Sequence, residues 1–162
     1  MVEPDAAGSA SELRTLMRIA YILDVSAEGV LGKGAPAMMY QAGRDAGCGE
    51  GRRRGTGDDP MEALSRVLSE GEEIWRFELW RDPGDEDDWT VSEDRRSAFL
   101  VFRRCPLMNL SRNVGSTPGG LLCQAMHGYM AGCMEQYLGH RVDMRVIHCG
   151  PRACKVHLEM RD

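Results

Sequence analysis

The last third of the chain admits few folds. In "PGGLLCQAMHGYMAGCMEQYLG", Leu122, Met126, Tyr129, Met130, Met134 and Tyr137 fall on one helical stripe. Thr117-Pro118 opens this segment and Gly139 stops it. Directly after it, "HRVDMRVIHC" and "ACKVHLEM" read as two strands joined by the four residues "GPRA". The helix is narrowed on one side by Gly128 and Gly132. A glycine inside a helix costs roughly 1 kcal/mol, so close backbone packing is expected to compensate.

Upstream, helical and extended patterns do not alternate. Ser11 caps a predicted helix over "ELRTLMRIAYIL", with Leu13, Leu16, Met17, Ala20 and Leu23 at helical spacing. "SAEGVLGKG" reads as a loop or short helix. "APAMMYQAGRDAG" reads as a second helix, with Pro36 in its first turn and Gly47 at its end. "CGEGRRRGTGDD" reads as a mobile, charged loop. Asp59 and Pro60 then start a third helix, "PMEALSRVLSEG", ending near Gly71. "EIWRFELWR" alternates, with Trp75, Phe77 and Leu79 on one side and Ile74, Arg76 and Glu78 on the other. "DWTVSED" and "SAFLVFRR" read as further strands, and "CPLMNLSRNVGS" as irregular. The class is therefore α+β: helices packed on an antiparallel sheet, with a long helix followed by a C-terminal β-hairpin.

The 162 residues suit one domain, 11–162, behind a flexible start at 1–10. The chain is 43% hydrophobic and 28% charged, an ordinary globular balance that needs no disulfide staples. A net charge of -5 argues against a broad nucleic-acid-binding face. "MVEPDAAGSASELR" has neither the basic nor the apolar region of a signal peptide, and no apolar run reaches the length of a membrane span. A cytoplasmic protein is expected. Its six cysteines are then thiols, metal ligands or redox groups rather than disulfides.

Cys149 and Cys154 bracket "GPRA" and would sit opposite each other, with Cβ atoms about 4.5–5.5 Å apart. Two thiolates at that separation can share Zn²⁺, with bonds of about 2.3 Å, or close a disulfide. Cys123 and His127 share one face of the long helix, and Cys105 opens the "CPL" segment. Taken singly, Cys105, Cys123 and Cys133 also suit a buried apolar role. Cys133 is assigned to the core, Cys48 to a loop, and His140 and His157 to solvent. Eleven methionines make a Met-rich core the default, and an adaptable apolar ligand pocket the sharper alternative. No nucleophile elbow, zinc-protease helix, phosphate loop or dinucleotide fingerprint is present.

"GKGAPAMMYQAGRDAG", then "CPL", then "LLCQAMHGYMAGCMEQYLGHRVDMRVIHCGPRACKVHLEM" resemble the 4-vinyl-reductase-like small-molecule-binding domain, a family also described as hydrocarbon-binding. The resemblance spans roughly residues 20–162 and is strongest in the last third. It implies an α+β fold, usually a homodimer, with an apolar pocket between helices and sheet. It also implies a structural zinc in several members, held by one cysteine of the long helix and two of the hairpin. Cys123, lying 26 residues before Cys149, matches the helix cysteine, and Cys149 and Cys154 match the hairpin pair. Aromatic sensors of the family place a glutamate three residues before the first hairpin cysteine. This chain has Val146 there, which cannot bind a metal: either another residue is the fourth ligand, Cys105 first with His127 or His148 behind it, or the site is not an intact zinc site.

The expected metal set is thus Cys105, Cys123, Cys149 and Cys154, holding zinc or an iron–sulfur cluster. The expected ligand walls are Met38, Met39, Met126, Tyr129 and Met130, with Trp75 or Phe77. The partner is a hydrophobic small molecule; no nucleic acid or membrane partner is expected of this chain alone, since the DNA-binding domain of the family's regulators has no room here. A thiol redox sensor is the second reading. A reductase or accessory protein acting on a vinyl tetrapyrrole ranks last.

Overall fold

The computed structural model describes residues 6–68, 74–114 and 119–161. Helix α1 spans Ala6–Leu31 and passes through a short 3-10 turn into α2, Ala35–Gly51. Helix α3 is Pro60–Leu68, and strands β1, Arg76–Trp80, β2, Trp89–Ser92, and β3, Arg95–Arg104, follow. Helix α4, Pro106–Val114, precedes the long α5, Leu121–Leu138, and the hairpin β4, Arg141–Cys149, with β5, Cys154–Arg161. The strands form one five-stranded antiparallel sheet of order β1-β3-β5-β4. β1 and β2 pair with successive halves of β3. The α+β class and the terminal hairpin are as the sequence indicates.

The hairpin and β3 send alternate residues into the core. Val142, Met144, Val156, Leu158, Met160, Leu100 and Phe102 are buried against Met130, Met134 and Tyr137 of α5 and Leu64 and Leu68 of α3. Each such side chain contributes roughly 1.5–3 kcal/mol by leaving water. The period-2 burial of β5 is complete from Cys154 to Met160, which fixes its register.

Helices α2 and α5 touch backbone to backbone. A methyl group at Gly128 would strike the Tyr40 carbonyl, and one at Gly47 would strike the Tyr129 carbonyl. Gly47 therefore is not a stop signal. α2 runs on through Cys48 to Gly51, into the stretch read as a mobile loop, because its glycines are contact points on α5. Helix α2 also closes the open edge of the sheet. Met144 N–H on β4 donates to the Tyr40 hydroxyl at 2.9 Å, and Val142 N–H donates to the Glu135 carboxylate at 3.3 Å. Arg44 bridges Glu135 and Asp143 beside them. The edge strand is thereby shielded from pairing with another chain.

Helix α1 departs from expectation. It begins before Ser11, so Ser11 lies inside the helix and does not cap it, and "SAEGVLGKG" is helical as far as Leu31. Its predicted apolar stripe is not buried: Leu16 is 62% and Leu23 63% exposed. α1 instead holds the body through a carboxylate. Leu122 N–H donates to Asp24 at 2.7 Å, capping α5, whose own N-cap Gly120 has no side chain to do so. Asp59 caps α3 as read from the sequence, accepting from Met61 N–H at 2.8 Å. The "CPLMNLSRNV" stretch is helix α4 rather than irregular. The assigned ends of α3 near Gly71 and of α5 at Thr117-Pro118 fall outside the described residues.

Candidate functional site: a sulfur-lined apolar cavity

Four elements meet at one end of the sheet. β3 ends at Arg104 and turns through Cys105 into α4; the first turn of α5 carries Cys123; the mouth of the hairpin carries Cys149 and Cys154. Between them lies a cavity of about 20 Å³, walled by Trp75, Phe102, Leu107, Met108, Met126 and Met130, with His127 and the sulfurs of Cys105, Cys123, Cys149 and Cys154. Helical spacing on α5 brings Cys123, Met126, His127 and Met130 to the same wall.

The hairpin places Cys149 and Cys154 as register partners, with Sγ atoms 3.0 Å apart. A bulge between Val146 and His148 precedes the pair, so His148 lies opposite Lys155. The hydrogen bond shared by the two thiols draws the Cys149 pKa down to about 7, while the same bond and burial hold Cys154 above the ordinary thiol range. Burial raises the Cys105 thiol and pushes Cys123 up to about 11. Among the described residues, no three His, Cys, Asp or Glu side chains stand in a geometry that holds a metal ion.

His127 is the polar exception in the apolar wall. It is buried, Phe102 lies 6.4 Å from it ring to ring, and its Nδ1 has no hydrogen-bond partner. Burial pulls its pKa down to about 4, so the ring is neutral at pH 7. A buried polar atom without a partner costs about 1–3 kcal/mol. The sequence signalled this position only through its spacing from Cys123.

Of the five residues expected to line a ligand pocket, Met126 and Met130 line this cavity. Met38 is 56% exposed, and Met39 and Tyr129 lie outside the cavity wall. The physical reason is the glycine contact: α5 turns its Gly128, Tyr129 and Gly132 backbone toward α2, and Met38 stands on the exposed side of α2. Trp75 belongs to the wall, whereas Phe77 packs on Phe102 from outside it, 5.7 Å between rings. Cys133 is core, donating to the Gly47 carbonyl at 3.2 Å. Cys48 is half-buried on α2 rather than in a loop. His157 is half-buried, its ring centroid 5.2 Å from that of Phe99.

No protein-family model matches the sequence, and no curated protein matches it. The architecture does match a solved structure, the phenol-responsive sensory domain of the transcription activator PoxR, crystallised with phenol. The match has a TM-score of 0.61 at 13% identity and covers 90% of this chain and 74% of that one. The chain shares the fold of a sensory domain. Similarity at this identity is a similarity of fold. No helix among the described residues is long and apolar enough to cross a membrane.

Proposed function

We propose that this chain is a small-molecule-binding sensory module of the 4-vinyl-reductase-like kind, taking an apolar, ring-sized ligand into the cavity between α4, α5 and β3. The observation that carries the reading is the unpartnered Nδ1 of His127 within a wall of Trp75, Phe102, Leu107, Met108, Met126 and Met130. Ligand sites are mostly apolar with a few placed polar groups, and a ligand hydroxyl would satisfy this imidazole. The fold neighbour's phenol is of that chemical class. The cavity of about 20 Å³ holds no more than a water. Ring binding therefore requires Met108, Met126 or Met130 to swing aside, which the flexible thioether chain permits. Calorimetric titration of phenol into the purified protein tests this. Binding that Met126→Trp abolishes by filling the cavity supports the reading; no heat in the wild type rejects it.

Zinc at Cys105, Cys123, Cys149 and Cys154 forms the second part of the proposal. Support comes from the four thiols around one cavity, an all-sulfur donor set that suits Zn²⁺. Bonds of about 2.3 Å hold neighbouring sulfurs about 3.8 Å apart in a tetrahedron, so Cys149 and Cys154 would separate from 3.0 Å. The metal would contribute folding energy, tying the hairpin to α4 and α5. Elemental analysis of freshly purified protein decides the point: one zinc per chain, lost in Cys123→Ser, is the supporting result. The 3.0 Å separation favours a second reading, a dithiol that closes to a disulfide under oxidant. Two free thiols after peroxide treatment would exclude it.

A homodimer, implied by the family resemblance, also belongs to this proposal. Its support is the apolar face of α1, where Leu16, Ile19, Ile22 and Leu23 stand exposed. A monomer mass by light scattering would count against it.

A further inference from the structure

Four of the six cysteines line the cavity, while Cys133 and Cys48 stand outside it. Cys149 is the half-buried member of the hairpin pair, and its partner Cys154 is buried. Gly119 stands beside the Cys149 sulfur and carries no side chain to cover it. Cys149 thus borders the cavity and is reached from solvent.

Three kinds of group meet in this small space. Trp75 and Phe102 give aromatic walls, His127 brings an Nδ1 with no hydrogen-bond partner, and the cysteines bring sulfur nucleophiles. Around a void of about 20 Å³, these groups stand within reach of one six-membered ring. An imidazole nitrogen donates to a carbonyl oxygen or accepts from a hydroxyl. Zinc on the four sulfurs would leave His127 unanswered, and so would a Cys149–Cys154 disulfide. A flat ring carrying both an oxygen and an electrophilic carbon answers the imidazole and the sulfur together.

We propose that Cys149 is a modification site for aromatic quinones, which enter the cavity and are captured there as a thioether. The inference rests on the ligand reading above and on Cys149 as a free thiol, and it names a reactive class of ring for the same site. In the step, Cys149 Sγ forms a bond to a ring carbon conjugated to a carbonyl. The S–H bond and the C–H bond at that carbon break, and both hydrogens end on the two ring oxygens. The quinone is reduced to a hydroquinone, the sulfur is oxidised to a thioether, and every atom of both is kept. No further oxidant or reductant is needed. A new ring hydroxyl then satisfies His127 Nδ1.

The test is a timed reaction of the full chain with 1,4-benzoquinone, after removal of reductant and under argon, read by intact mass and peptide mapping. Cys48, half-buried on α2 outside the cavity, is the reference thiol. The first adduct, one quinone per chain, is expected at Cys149. Phenol at about ten times its own Kd should slow that reaction about tenfold and leave Cys48 unchanged. Met126→Trp should slow it as well, and Cys149→Ser should remove the first adduct. No adduct at Cys149, or one that forms no faster than at Cys48, overturns the inference. So does a Cys149 adduct indifferent to phenol when calorimetry shows phenol bound. An adduct on Cys105, Cys123 or Cys154 in place of Cys149 also overturns it, as does a chain two hydrogens lighter, the disulfide of the second reading. Each of these leaves the ligand reading standing. If phenol gives no heat, the ligand reading falls and this inference with it.

Discussion

The hydroxyl of Tyr40 accepts the backbone N–H of Met144 at 2.9 Å, so a side chain of α2 satisfies a donor on the open edge of the sheet. Burial of Tyr40 raises its phenol pKa, and the hydroxyl stays protonated. Tyr40→Phe keeps the ring and orphans the donor. A loss of about 1–3 kcal/mol is expected, read as a lower urea midpoint with unchanged slope. No change in midpoint would mean that water replaces the hydroxyl freely.

Gly128 faces the Tyr40 carbonyl with no room for a methyl group. Helix propensity favours Gly128→Ala by roughly 1 kcal/mol. The contact opposes it, since overpacking costs about 1–3 kcal/mol and occasionally more. Net destabilisation is expected in thermal melts. A stabilised variant would show that α2 and α5 separate without penalty.

His127 makes stability depend on pH. Its folded pKa, about 4, lies below the ordinary 6.5 because burial disfavours the charged ring. Between those values the unfolded chain binds the extra proton, so stability rises with pH through this window. The contribution is fully present above pH 6.5 and is lost as pH falls to 4. Its size is about 3 kcal/mol. His127→Phe should flatten the wild-type slope between pH 6.5 and 4 in denaturant titrations. An unchanged slope would assign the acid sensitivity to other groups.

Asp24 caps α5 from a different helix, through Leu122 N–H. Asp24→Ala should cost about 0.5–2 kcal/mol, as other cap losses do. It should also speed hydrogen exchange at Leu122. Protection that survives the substitution would show that the cap is dispensable.

The terminal hairpin and the helix before it were legible because their signals are local. A four-residue turn between two alternating runs sets Cys149 opposite Cys154 without help from the rest of the chain. α4 was legible in principle but missed. Pro106 at its first position and Leu107, Leu110 and Ser111 at helical spacing are the signal, obscured by the short length of the helix. The end of α2 was misread because Gly47 is ambiguous alone: a stop signal and a helix contact look identical until α5 is placed against it. The long reach of α1 and the exposure of Leu16 and Leu23 were not legible either, since periodicity reports a stripe and not what covers it.

At the site, spacing brought out the cysteines and the alternating strand pattern offered Trp75, but not Phe102, Leu107 and Met108, which reach the cavity from β3 and α4. Their arrival depends on tertiary packing that no local pattern encodes.

The most direct test of the ligand site follows the ε-methyl groups of ¹³C-methionine-labelled protein through a phenol titration. The account predicts saturating shifts at Met108, Met126 and Met130, with Met38 unmoved on its exposed helix face. Shifts confined to Met38 and Met39, or none at any methionine, would contradict it.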